Sequence, residues 1–312
     1  MGAYLLRASM SEHGIFTSRE AAAAGISWAA LRKEIASGRV RKIDRDTYTR
    51  APAREDAREA HRELVAGAVH RYRGRVVAAE HSALVVHRLP TFEADLSRAS
   101  LLWCNDASSQ FRQQLDIRRT KFDLPKTLVD DIPVVVEAVA FLQVAARQGT
   151  LAAVVAGDAM LHRESTSIAE LEEVCRRFAS YPGQRVAAKA IARLDARTES
   201  PQESVLRIVA GDAGIVLEPQ FEVYDGDELI ARADFRIEGS RALVECDGRI
   251  KYAGTGDGGP DVLWAEKQRE DRIRRLKWGV ERVINADFAT PRALLHRLRR
   301  AAADHPDALS PS

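Results

Sequence analysis

The sequence predicts a multidomain α/β protein, on three observations. A helix, a glycine turn, a second helix and a basic hairpin pattern succeed one another within residues 1–53. Strand-like and helical stretches then mix over residues 55–195. From 199 to 303 the order is helix, three-stranded meander, helix, strand, helix, as in an α/β domain. A chain of 312 residues is longer than one typical domain, and residues 304–312 read as a tail. A hydrophobic share of 46% against 29% charged residues excludes an intrinsically disordered chain. Cys104, Cys175 and Cys246 are far apart and odd in number, which argues against a disulfide framework or a zinc site. The N-terminus lacks the apolar run of a signal peptide and no stretch approaches membrane-spanning length, so a cytoplasmic protein is expected.

In the first segment Thr17-Ser18 caps a helix through Ala24, Gly25 turns the chain, and Ser27 caps a second helix from Trp28 to about Ala36. Arg39 to Ile43, the polar Asp44-Arg45-Asp46 and Thr47-Tyr48 read as strand, turn, strand. That layout is a winged helix-turn-helix. Its second helix offers Arg32 and Lys33 to a DNA groove, and its hairpin offers Arg39, Arg41 and Arg45 to phosphates. The plainer alternative is a helical interaction module with a solvated basic face. Arginine makes up 39 of the 47 basic residues, and a GC-rich coding sequence accounts for that as well as DNA binding does.

In the middle segment Arg75–Ala79 reads as a buried strand or helix start, Ser82–His87 as a helix, and Ala99–Trp103 and Val134–Val136 as strands. Helices follow at Glu137–Arg147, Leu151–His162 and Ser167–Ala179, the last opening on a capping-box spacing, with another from about Arg185 to Ala196. Glu80, His81, His87 and His162 are scattered, and such residues are more often structural than catalytic.

The last segment starts at Ser200-Pro201, an N-cap with proline at the first helical position. Gln220–Tyr224, Ala231–Ile237 and Ala242–Asp247 read as strands, and Val280–Ile284 as a fourth. By alternation Glu245 and Asp247 share one face of the third strand, away from Val244 and Cys246, and Asp234 faces away from Phe235 and Ile237. Pairing through the Gly239 turn then brings Asp234 beside Glu245 and Asp247. Three converging carboxylates repel unless a cation sits among them, and Mg²⁺ or Mn²⁺ suits such oxygens. An ion there activates water and neutralises charge developing on a phosphate. Lys251 lies just beyond the strand, where an ammonium can hold the nucleophile, and Glu203 on the preceding helix is a further carboxylate. The plainer alternative is a meander with solvent-facing acids and a turn at Asp247-Gly248.

Ala233-Asp234-Phe235, then Glu245-Cys246-Asp247-Gly248-Arg249-Ile250-Lys251-Tyr252, resembles the PD-(D/E)xK nuclease superfamily, and most closely its branch related to very-short-patch-repair endonucleases. Ser200-Pro201 with Glu203, the Lys267–Asp271 run and Trp278-Gly279-Val280 extend the resemblance over 199–303. It implies a restriction-endonuclease-like fold and metal-dependent hydrolysis of DNA, with Asp234 and Glu245 as metal ligands. The chain departs from the pattern at Glu245-Cys246-Asp247, where the superfamily has Glu-x-Lys, its lysine being displaced to Lys251. From Leu263 to Ala303 eleven Arg or Lys face five acids, and Arg269, Arg272, Lys277 and Arg282 are suited to phosphates. A helix face laced by ion pairs is the alternative.

Gly14–Ser18, Gly25 and Arg39–Tyr48 resemble the winged-helix domain of AbiEi-like antitoxins of type IV toxin–antitoxin systems. Ala78–Ala83 with Leu89-Pro90 is similar to the region beyond that domain in such proteins. The resemblance implies promoter binding, autoregulation and a toxin partner. The leading reading is therefore a DNA-binding protein with a metal-dependent nuclease-like domain. The second is a repressor or antitoxin whose nuclease-like domain does not cut, and the third a scaffold with no DNA role. Neither oligomeric state nor the role of 55–195 follows from the sequence.

Overall fold

The computed structural model describes residues 14–105, 107–247, 268–269 and 271–307, and of Asp247 the backbone only. The chain packs as two compact units, Met1–Leu194 and Asp195–Ser312. Segments 1–53 and 55–195, expected as separate domains, fall within the first unit except for Asp195, which opens the second.

Its first elements are β1 (Ile15–Phe16), α1 (Ser18–Ala23), α2 (Trp28–Ala36), β2 (Arg41–Asp44) and β3 (Thr47–Thr49). Thr17 and Glu20 form a capping box on α1, and the Ser27 hydroxyl accepts from the Ala30 amide to start α2. The strands form an antiparallel sheet in the order β1-β3-β2. Phe16, Ala21, Leu31, Val40 and Tyr48 close a small core between sheet and helices. This head packs on α3 (Ala57–Arg71). The approach is close at Gly67, where an added Cβ would lie 3.4 Å from Ile43. Arg41 pairs with Glu63 at 2.8 Å and Arg71 with Asp44 at 3.2 Å across that joint.

The rest of the unit is a six-stranded sheet with helices. Its strands are β4 (Val76–Ala78), β5 (Ala99–Trp103), β6 (Gln110–Phe111), β7 (Leu115–Arg118), β8 (Lys126–Val129) and β9 (Ile132–Val135), ordered β6-β7-β5-β4-β9-β8. The helices are α4 (Glu80–Val86), α5 (Glu137–Gln148), α6 (Thr150–His162), α7 (Ile168–Arg177) and α8 (Gln184–Ile191). Strands β6, β7 and β8 were not expected from the sequence, and α8 stops at Ile191, short of the expected Ala196. Three of the histidines here are tied to the fold. His61 bonds Ser82 and the Leu96 carbonyl, and burial pushes its pKa down to about 4, so it is neutral at pH 7. His81 and His87 bond the carbonyls of Arg98 and Val135.

The second unit contains α9 (Pro201–Asp212), β10 (Leu217–Asp225), β11 (Glu228–Ile237), β12 (Ala242–Asp247), β13 (Gly279–Ile284) and α10 (Pro291–Asp304), with helical residues 271–275 ahead of β13. β10, β11 and β12 are antiparallel in sequence order, and β13 adds parallel to β12. Leu206, Phe235, Val244, Val283, Leu294 and Leu298 form the core on one face, beneath α9 and α10. On the other, Val223, Ala231, Ala233 and Leu243 pack with Ile273. Residues 305–307, expected as tail, pair with this sheet: Arg241 donates its amide to the His305 carbonyl at 2.7 Å, Pro306 bridges to Ser240, and Asp307 bonds Arg236.

Gly183, which leads into α8, has φ +84°, and a Cβ there would lie 2.3 Å from the Ala146 Cα of α5. Backbone cannot yield as a side-chain tip can. Gly183→Ala is expected to lower the stability of the first unit by about 3 kcal/mol, combining overpacking with a left-handed alanine. The check is a fall in the urea midpoint at unchanged slope.

Candidate functional site

Two groups of side chains have the chemistry of a site, one in each unit. In the head, α2 packs Leu31 inward and turns Trp28, Arg32 and Lys33 outward. Trp28 is the first residue of α2 and 53% exposed, unusual for so large an apolar side chain. Its spacing from Leu31 and Ile35 marks it as a core residue, which is why the sequence did not single it out. Arg45, at the hairpin turn, is exposed as well. The remaining predicted contacts are paired within the chain. Arg39 makes a two-pronged bond to Glu34 at 2.9 and 3.0 Å, and half-buried Arg41 is held by Glu63. Glu20 accepts from Thr17 and from His70 of α3 at 2.8 Å. Burial opposes its charge, but these hydrogen bonds outweigh burial and hold the carboxyl below the ordinary range.

In the second unit a backbone inversion builds the acidic group. β10 and β11 pair Pro219 with Phe235 and Phe221 with Ala233, so Gln220 stands opposite Asp234. Gln220 has φ +55°, a left-handed conformation rare outside glycine. Alternate residues of a regular strand share a face, yet Ala231 and Ala233 pack in one core while Phe235 and Ile237 pack in the other. The pleat therefore inverts at Gln220 and Asp234. β11 and β12 keep regular register at Phe235 with Val244 and Arg236 with Leu243. Beyond them the Asp234 carboxylate accepts from the Cys246 amide at 2.6 Å.

Glu203, the third residue of α9, is 5% exposed. Its carboxylate accepts from the Glu199 amide at 2.9 Å and from the Gln220 side chain at 3.4 Å. Burial raises the Glu203 carboxyl above its ordinary range against the pull of hydrogen bonds from Glu199 and Ser200, and the charges of Asp234 and Glu199 add to the rise. Burial likewise raises Asp234, against the Cys246 amide, with Glu199 raising it further and Arg232 and Arg269 drawing it back. The Cys246 thiol is pushed up by burial and by Asp234 and Glu203. Glu203, Asp234, Gln220 and Cys246 thus form one partly buried cluster.

Glu245 has other partners: Arg269 at 3.3 Å and Arg282 at 3.6 Å. Arg272 pairs with Glu228 at 2.6 Å and reaches Asp225 at 4.0 Å. The structure brings Glu203 and Asp234 together and sets Arg269 and Arg282 beside Glu245. The convergence of Asp234, Glu245 and Asp247 expected from alternation involves the Asp247 side chain, which lies outside the described residues. The meeting of Glu203 with Asp234 depends on the inversion at Gln220, which strand periodicity does not encode. Lys251 and the Asp247 side chain lie outside the described residues. Among the described residues no group of three His, Cys, Asp or Glu side chains gathers around a cation position. Two carboxylates remain a suitable donor set for Mg²⁺, which binds through one or two carboxylates together with water and phosphate.

A carboxyl raised on folding contributes stability below its unfolded pKa, and that contribution is lost as pH rises through the folded value. Glu203→Gln and Asp234→Asn keep the hydrogen-bond acceptors and remove the charge. Each is expected to raise Tm by roughly a few degrees at pH 8, with the gain shrinking toward zero near pH 4. A gain independent of pH in thermal melts across that range would refute the charge argument.

Residues 4–51 match the family described as transcriptional regulator, AbiEi antitoxin. No curated protein matches the chain. Among solved structures, the RV2827C protein from Mycobacterium tuberculosis is similar at 14% identity and a TM-score of 0.41, over 65% of this chain and 77% of that one. No described helix is long and apolar enough to cross a membrane. The family match falls on the stretch that contains β1 to β3 of the head.

Proposed function

We propose that the protein is a DNA-binding transcriptional regulator that reads its site through the head as a winged helix-turn-helix. The observation that carries this reading is the outward face of α2, where Trp28, Arg32 and Lys33 stand exposed at and just beyond the helix start. In a helix-turn-helix those positions of the second helix enter the major groove. Arginine and lysine suit the acceptors of guanine, and an exposed indole suits a thymine methyl. Arg45 at the wing supplies a phosphate contact, while Arg39 and Arg41 serve the fold through Glu34 and Glu63. The antitoxin description of the matched family supports a cognate toxin as the partner in this reading and the cytoplasm as its place of action.

A second reading adds chemistry to the second unit, as a restriction-endonuclease-like domain cutting DNA. It rests on the order of α9, three antiparallel strands and a parallel fourth, with Glu203 and Asp234 meeting where the pleat inverts. Those two carboxylates would hold Mg²⁺ or Mn²⁺, which supplies an activated water and neutralises charge on the phosphate. Asp234 is oriented for this by the Cys246 amide, and Gln220 steadies Glu203.

Selection of duplexes from a random pool by the full chain tests the first reading. The protein is expected to enrich a defined sequence, and Arg32→Ala with Lys33→Ala to weaken binding to it at least tenfold. Trp28→Ala is expected to relax the preference at one or two positions while leaving affinity for unrelated duplex within about twofold. A pool that emerges unenriched would sink the reading. Supercoiled plasmid incubated with Mg²⁺ or Mn²⁺ tests the second. Cutting that requires metal and vanishes in Asp234→Ala supports a nuclease, and no cutting by a protein that still binds DNA refutes it.

A further inference from the structure

We propose that a basic groove at the start of β13, in the second unit, binds the phosphate backbone of double-stranded DNA as a contact separate from the helix-turn-helix. The groove encloses about 810 Å³ and is lined by Arg274, Lys277, Trp278, Val280, Arg282 and His305, with Gly279 at its base. Among the described residues no acidic side chain lines it. At Gly279 an added Cβ would lie 2.2 Å from the His305 ring, so any side chain there would displace the imidazole. The imidazole therefore seats directly against the strand. Arg241 adds a guanidinium 5.0 Å from the Trp278 ring on its border.

Arg269 is engaged by Glu245, which also reaches Arg282 of the lining at 3.6 Å, and Arg272 by Glu228 and Asp225. Lys277 and Arg274 are both exposed at the rim of the groove. Lys277 also occupies an unexpected place. It ends the helical stretch with φ +63°, the Trp278 amide donating back to the Ile273 carbonyl at 3.3 Å. That stop is the left-handed position glycine normally takes, since a side chain there strains the backbone. Here a lysine carries its charge to the rim despite the strain. Cations spread over a helix end, a strand and the 305 position, interleaved with an indole, match a rod of regularly spaced phosphates and sugars better than one small anion.

The proposal rests on the DNA-binding reading only for its choice of polyanion. Its test uses the full chain and a labelled duplex of about 30 base pairs with unrelated sequence, followed by fluorescence anisotropy over a salt titration. Lys277→Gly removes the charge and relieves the strain, so its Tm is expected to hold or rise. Its affinity for the duplex is expected to fall roughly three- to tenfold, with a salt slope smaller by about one. Adding Arg274→Ala deepens both effects. Unchanged affinity and slope in the double variant, with Tm retained, overturn the proposal. The Arg32→Ala, Lys33→Ala variant separates the two ideas. If it weakens duplex binding and the groove variants do not, the regulator reading stands and the groove falls. The reverse pattern upholds the groove and removes the head as the DNA reader. Absence of duplex binding by the unaltered chain rejects both.

Discussion

A single left-handed glutamine holds the geometry of the second unit together. Gln220 interrupts β10 opposite Asp234, and the pleat of both strands changes sides there. One end of the sheet can then bury Leu217, Phe235 and Ile237 against α9 and α10, and the other end Val223, Ala231 and Ala233 against the helical residues near Ile273. A non-glycine residue in that region costs about 1–3 kcal/mol and persists only where its surroundings leave no alternative. Here two cores on opposite faces fix it. The same inversion turns Asp234 toward the Cys246 amide and places the Gln220 amide group against Glu203, so the strain and the acidic cluster have one origin.

That constraint also marks what reading from the sequence could not supply. Capping signals were legible: Ser27 starts α2 at Trp28, Ser200-Pro201 starts α9, and Ser167 with Glu170 forms the box that its spacing announced. β5 and β12 were legible from their apolar runs, being inner strands of their sheets. β6 and β8 were not, because they are short edge strands of mixed polarity, with Phe111 and Leu128 left 61% and 65% exposed. The types of residue in the acidic site, Glu203 beside Asp234 among them, were legible, but the inversion that joins those two was not. Alternation assumes an unbroken pleat, and nothing in Pro219-Gln220-Phe221 announces a left-handed glutamine. Trp28 was hidden for a related reason: periodicity placed it on the Leu31 stripe, while the helix start lies beyond the small core that stripe fills.

Charge was the other feature that composition could not resolve. Near neutrality overall, the chain spends some basic residues on its own acids and leaves others at the surface. Arg41 and Arg71 fasten the head to α3 through Glu63 and Asp44. These links are partly buried and so less screened by salt than surface pairs. Arg32, Lys33, Arg45 and Lys277 are exposed, with no ion pair among the described residues. A partner made of phosphates would be met by the second set, and loss of the first would loosen the fold before it touched binding. The joint to α3 also explains why residues 1–53 share a unit with the segment after them: their core is small, and α3 both covers it and neutralises it.

Glu203 bears on whether the acidic cluster serves the fold alone. Glutamate at the third position of a helix is ordinarily stabilising, because it accepts from the first amides and complements the helix dipole. Glu20 and Glu170 behave that way, and hydrogen bonding holds both carboxyls below their ordinary range. Glu203 occupies the same position on α9 and accepts a comparable bond, yet its carboxyl is raised. Burial and the neighbouring charges of Asp234 and Glu199 make the difference. A cap needs neither, since an exposed glutamate would satisfy the Glu199 amide equally well. The fold therefore keeps two carboxylates close together and poorly solvated, where ionising both costs free energy. A bound cation is the simplest thing that would turn that cost into a gain. Such a cation would give the second unit a ligand without yet giving it a reaction, since orienting DNA phosphate through a metal and cleaving it begin from the same two side chains.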